Sequence, residues 1–149
     1  MLILALETST ELGSCALWRD GVVTERFCPE KQPHSETLLP LVRELLAESG
    51  VRIADLDAIA FGVGPGAFTG LRVACGAAQG LAVAADLPLV AVTSLETMGR
   101  SRRPSGFWPC SMREWVRSIP GFMNVRAMAM YCAATFAFQH APMSSCRAT

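Results

Sequence analysis

The chain has 149 residues, 51% of them hydrophobic and 17% charged, with no formal net charge. That size and balance suit one folded core, and they exclude a disordered chain or a protein basic enough overall to seek nucleic acid. The average hides a split: residues 1–99 carry six basic and twelve acidic groups, whereas residues 100–149 carry seven arginines and the single acid Glu114.

In chain order, Leu2–Leu6 is a short apolar run that ends in Glu7-Thr8-Ser9-Thr10, the pattern of a buried strand with a polar exit. Too little precedes Glu7 for a signal peptide, and no membrane anchor is expected, so a cytoplasmic location follows. Gly13–Trp18 resumes the apolar character. Arg19-Asp20-Gly21 predicts a tight hairpin, because such a turn needs positive φ, and Val22–Cys28 alternates as the return strand. After Pro33, Ser35 is the expected N-cap of a helix running to about Ser49, with Gly50 as its terminator. Its stripe of Leu38, Leu41, Val42 and Leu45 is widened by Leu39 and Leu46, which suits either core alone or core plus a partner surface.

Asp57–Val63 is nearly continuous in apolar character, as a central strand is. It leads into Gly64-Pro65-Gly66-Ala67-Phe68-Thr69-Gly70-Leu71-Arg72 and then an alanine-rich helix through Ala85. Leu89–Val92 is a further strand, and Thr93-Ser94 is placed to cap a helix containing Leu95 and Met98. Three strands, helix, strand, helix, strand predict an α/β mixed sheet flanked by helices. This is the order of the first lobe of the actin-like, ribonuclease-H-like superfamily.

Three places invite chemistry. Glu7, Thr8 and Ser9 offer a carboxylate and hydroxyls at a strand exit, a set that suits a hydrated magnesium ion or simply satisfies backbone groups there. The turn carrying Gly64, Gly66, Thr69 and Gly70 either brings backbone N–H groups up to an anion or seats the helix tightly on the sheet; it is neither a Walker A loop nor a GxGxxG fingerprint. His34 lacks a second histidine four residues on, where Leu38 stands, so a surface or capping role is expected and no metal site. The six cysteines form no CxxC and pair with no histidine, so neither a metal site nor a disulfide framework is expected, and no nucleophile–base set assembles.

Taken together, Ile3–Ser9, His34–Pro40, Gly64–Arg72 and Thr93–Glu96 resemble the TsaB (YeaZ) family over residues 1–99. The nonapeptide from Gly64 is the specific signal. The resemblance implies an actin-like protein of two lobes, longer than this chain, that has lost its catalytic site and supports the formation of N6-threonylcarbamoyladenosine in tRNA. It implies pairing with TsaD, the paralogue expected to hold ATP and metal, together with the ATPase TsaE. Contact with tRNA would come only through the complex, this chain would have no cofactor of its own, and a homodimer is the further pairing option. Family pairing runs through first-lobe helices, which here nominates Leu38, Leu39, Val42, Leu46, Ala74, Ala78 and Leu81 as interface residues. The rival readings are an ATP-dependent transferase or kinase of the same superfamily, a glycoprotease-like metallopeptidase homologue, and a product without function.

After about Gly99 the resemblance stops, and the tail is expected to be irregular. Reading Phe107–Val125 from the third base of each codon forces Leu at Phe107/Trp108, Ala at Trp108/Pro109, Gly at Trp115/Val116 and Glu at Met123/Asn124. The remaining junctions permit Leu-Ala-Leu-Leu-Asp-Ala-Arg-Val-Gly-Glu-Val-Tyr, which resembles the start of the family's second lobe. A change of reading frame between Met98 and Phe107 is therefore expected. Residues 100–149 would then be out of frame, their positive charge an accident of codons, and the first lobe would be left with exposed apolar surface and poor solubility.

Overall fold

The computed structural model describes residues 1–95. The expected tail, the helix beyond Leu95, and Cys110, Cys132 and Cys146 lie outside the described residues. Five strands form one mixed sheet: β1 (Leu2–Glu7), β2 (Ser14–Arg19), β3 (Val22–Phe27), β4 (Ala58–Gly62) and β5 (Leu89–Val92). Their order across the sheet is β3-β2-β1-β4-β5, with β1, β2 and β3 antiparallel and β4 and β5 running parallel to β1. Two helices complete the predicted order, α1 (His34–Glu48) and α2 (Phe68–Ala85). This is the actin-like, ribonuclease-H-like arrangement.

The hairpin between β2 and β3 closes as its sequence requires. Arg19 pairs with Val22, and the two residues between them, Asp20 and Gly21, take φ of 47° and 92°. Positive φ at both central positions matches the right-handed twist of the flanking strands. β1 has no polar face because it is buried on both sides. Leu4 and Leu6 join the core with Cys15, Leu17, Ile59 and Phe61, while Ile3 and Ala5 turn the other way with Ala16, Val23, Ala58, Ala60, Val90 and Val92. Both helices contribute to the first cluster only.

α1 packs on the sheet through Leu38, Val42, Leu45 and Leu46. Burying each such side chain contributes about 1.5–3 kcal/mol. Its N-cap is Pro33, not Ser35 as expected, and no side chain caps it. At its other end Gly50 takes φ 63°, and the N–H groups of Val51 and Gly50 return to the carbonyls of Leu46 and Ala47, which stops the helix where the glycine predicted. A short 3-10 turn, Ile53–Asp55, was not foreseen in the sequence. Reciprocal bonds between Arg52 and Asp55 stabilise it, and the Arg52 guanidinium holds the Asp55 carboxyl below its ordinary range.

α2 buries only small residues, Gly70, Ala74, Ala78 and Ala82, at four-residue spacing. Its length and composition meet the simplest requirement for crossing a membrane, which the expectation of no anchor overlooked. The buried stripe instead seats it against β4 as a sheet-packing helix. Its end resembles that of α1, with Leu87 N–H returning to the Ala82 carbonyl, but Asp86 occupies the left-handed position at φ 52°.

Candidate functional site

The strand exit and the glycine-rich turn, far apart in sequence, meet directly. The Thr8 hydroxyl, fully buried, donates to the Gly70 carbonyl at 2.7 Å, and the Ala67 N–H donates to the Ser9 carbonyl at 2.7 Å. A methyl group at Gly70 would overlap the Thr8 carbonyl, and one at Gly66 would overlap Ser9. Glu7 closes the other side: its Oε1 accepts the Ser9 N–H at 2.6 Å, and its carboxylate lies where a side chain at Gly62 would have to go. Gly64 takes φ 89°, forms a cis peptide with Pro65, and accepts the Ser94 N–H at 2.8 Å through its carbonyl.

Between the two readings of this turn, the geometry favours seating. The close approach that Gly66 and Gly70 permit is made by the chain's own β1 exit. The Thr8 hydroxyl and the Ser9 carbonyl are spent on that contact, and the Ser9 N–H on Glu7. Thr69 alone of the nominated polar residues stands exposed, at the first turn of α2.

Beside this contact is an open cleft of about 530 Å³, lined among others by Thr8, Lys31, His34, Ser35, Thr69 and Gly70. Both helices begin on it, and neither start carries a side-chain cap. His34 is the first residue of α1 and half-buried; its Nε2 lies 3.0 Å from the Thr10 carbonyl. Nδ1 is buried without a partner and packs on Gly13, where an added methyl would come within 2.7 Å of it. The histidine therefore ties the segment after β1 to the start of α1. Leu38, where a metal pair would need its second ligand, is 1% exposed in the core. Among the described residues no three of His, Cys, Asp and Glu gather as a metal site would need. Cys15 and Cys28 are buried free thiols, and burial pushes Cys15 up to about 12.

The nominated interface residues need correction. Leu38, Val42, Leu46, Ala74 and Ala78 are buried in the chain's own core and offer no surface to another protein. Leu81 is half-buried, and Leu39 alone of the seven is exposed. The reason is that both helices turn their apolar stripes to the sheet. The outward face of α2 is formed by Arg72, Gly76, Gln79, Gly80 and Val83. Val83 is 86% exposed, and nothing lies within 4 Å of where side chains at Gly76 and Gly80 would begin. Sequence reasoning missed this face, although two glycines four residues apart inside a helix are a signal for it, since they weaken a helix unless something approaches closely.

The fold defines an actin-like first lobe, with its glycine-rich turn packed on the exit of β1. Comparison with known proteins narrows this further. The family model described as TsaD, tRNA N6-adenosine threonylcarbamoyltransferase, matches residues 22–107. The tRNA threonylcarbamoyladenosine biosynthesis protein TsaB of Escherichia coli is 47% identical over 102 residues, covering 67% of this chain and 43% of that protein. The TsaB of Haemophilus influenzae is 45% identical over 101 residues, covering 68% and 43%. The solved structure of YeaZ from Pseudomonas aeruginosa superposes with a TM-score of 0.62 at 47% identity, covering 66% of this chain and 46% of that one. The chain belongs to the TsaB (YeaZ) family. It spans under half the length of the curated relatives it matches.

Proposed function

We propose that this chain supplies the first lobe of a TsaB-type subunit, a non-catalytic partner that binds TsaD in the formation of N6-threonylcarbamoyladenosine in tRNA, in the cytoplasm. The observation that carries the reading is the closed turn. Thr8 and Ser9 occupy the space beside Gly66 and Gly70, which supports a scaffold over an ATP-dependent transferase or kinase. The identity to TsaB proteins over about two-thirds of the chain supports the pathway. ATP and metal belong to TsaD in this proposal, TsaE joins the same assembly, and tRNA is met only through the complex.

Pairing with TsaD is assigned to the outward face of α2 together with Leu39, in place of the buried residues first nominated. Small residues there let a partner helix approach closely, and Val83 and Leu39 supply apolar surface. Co-expression with tagged TsaD is expected to retain the chain, and Val83→Asp is expected to release it without changing its melting. ATP titrated onto the purified chain is expected to give no heat of binding. Tight ATP binding without a partner, or undiminished retention of both Val83→Asp and Gly76→Leu, would overturn the scheme. The proposal covers residues 1–99. Its companion, that residues 100–149 are read out of frame, is tested by sequencing the gene: an unbroken frame between Met98 and Phe107 would sink it.

A further inference from the structure

We draw no further inference here: the strongest candidate, the cleft between the uncapped starts of α1 and α2, rests on helix N-termini alone, since among the described residues the buried, unpartnered side-chain atoms are His34 Nδ1, which packs on Gly13, and Ser94 Oγ, which does not line the opening.

Discussion

The two helices cover the same face of the sheet by opposite means. α1 reaches the core with long side chains, Leu38, Val42, Leu45 and Leu46, and its outward positions are mixed, with Glu36, Arg43 and Glu44 exposed. α2 comes close with almost no side chain, through Gly70, Ala74, Ala78 and Ala82. A helix seated by leucines tolerates small shifts, because side chains can repack. A helix seated by backbone proximity has no such slack. The contrast predicts that enlarging a residue harms α2 and shrinking one harms α1.

The largest effect is expected at the tightest point. Gly70→Val places side-chain atoms on the Thr8 carbonyl, a backbone group that cannot swing aside, and is expected to lower unfolding free energy by about 4 kcal/mol or more. Denaturant titration measures it, and a loss under about 1 kcal/mol would mean that the strand exit and the turn do not touch as described. Next comes the pair that sets the helices against each other. Leu45→Ala should cost about 3 kcal/mol by leaving a cavity under α1, and Ala78→Leu about 2 kcal/mol by overpacking α2. If Ala78→Leu proves neutral, α2 has room to repack and the contrast fails.

A pH effect probes the floor beneath α1. Cys15 sits there fully buried, and burial raises its thiol from an ordinary 9.0 to about 12. Between those values the unfolded chain has lost the proton and the folded chain keeps it. Stability is therefore expected to fall as pH rises from about 9 towards 12. At pH 8 the thiol should resist thiol reagents until the chain unfolds, and rapid labelling of folded protein at Cys15 would contradict its burial. The smallest effect concerns how the helices end. α1 stops at a glycine with φ 63°, whereas α2 holds Asp86 at φ 52°. Asp86→Gly should gain about 0.5–1 kcal/mol, read as a higher melting temperature; a loss would assign the aspartate a contact of its own.

Features set by local geometry could be read from the sequence. Asp20-Gly21 fixed the hairpin and Gly50 the end of α1, because each meets a φ requirement within a residue or two. Apolar runs gave four of the strands, since burial on both faces leaves no other composition for β1 and β4, and alternation after the Asp20-Gly21 turn gave β3. The helix start was misplaced because Ser35 has the usual capping chemistry, while Pro33 offers only a fixed φ and an extended backbone. The site was half legible. Glu7, Thr8, Gly66 and Gly70 were singled out, but the choice between anion cradle and internal seat depends on a Thr8–Gly70 contact spanning 62 residues of sequence. No local pattern encodes that. Five of the nominated interface residues, Leu38, Val42 and Leu46 on α1 and Ala74 and Ala78 on α2, lie on the stripes that meet the sheet, and helical periodicity alone cannot say whether a stripe meets the core or a partner.

The joint between the β1 exit and the glycine turn has a consequence for anyone transplanting or evolving this motif. Gly64–Arg72 is portable only together with Glu7–Ser9, because each segment is the mould for the other. Moved alone, the nonapeptide would leave Gly66 and Gly70 as two unsupported weak points at a helix start. Opening space for a ligand against Gly66 and Gly70 would likewise require withdrawal of a strand end, a change of main-chain course that no single substitution supplies.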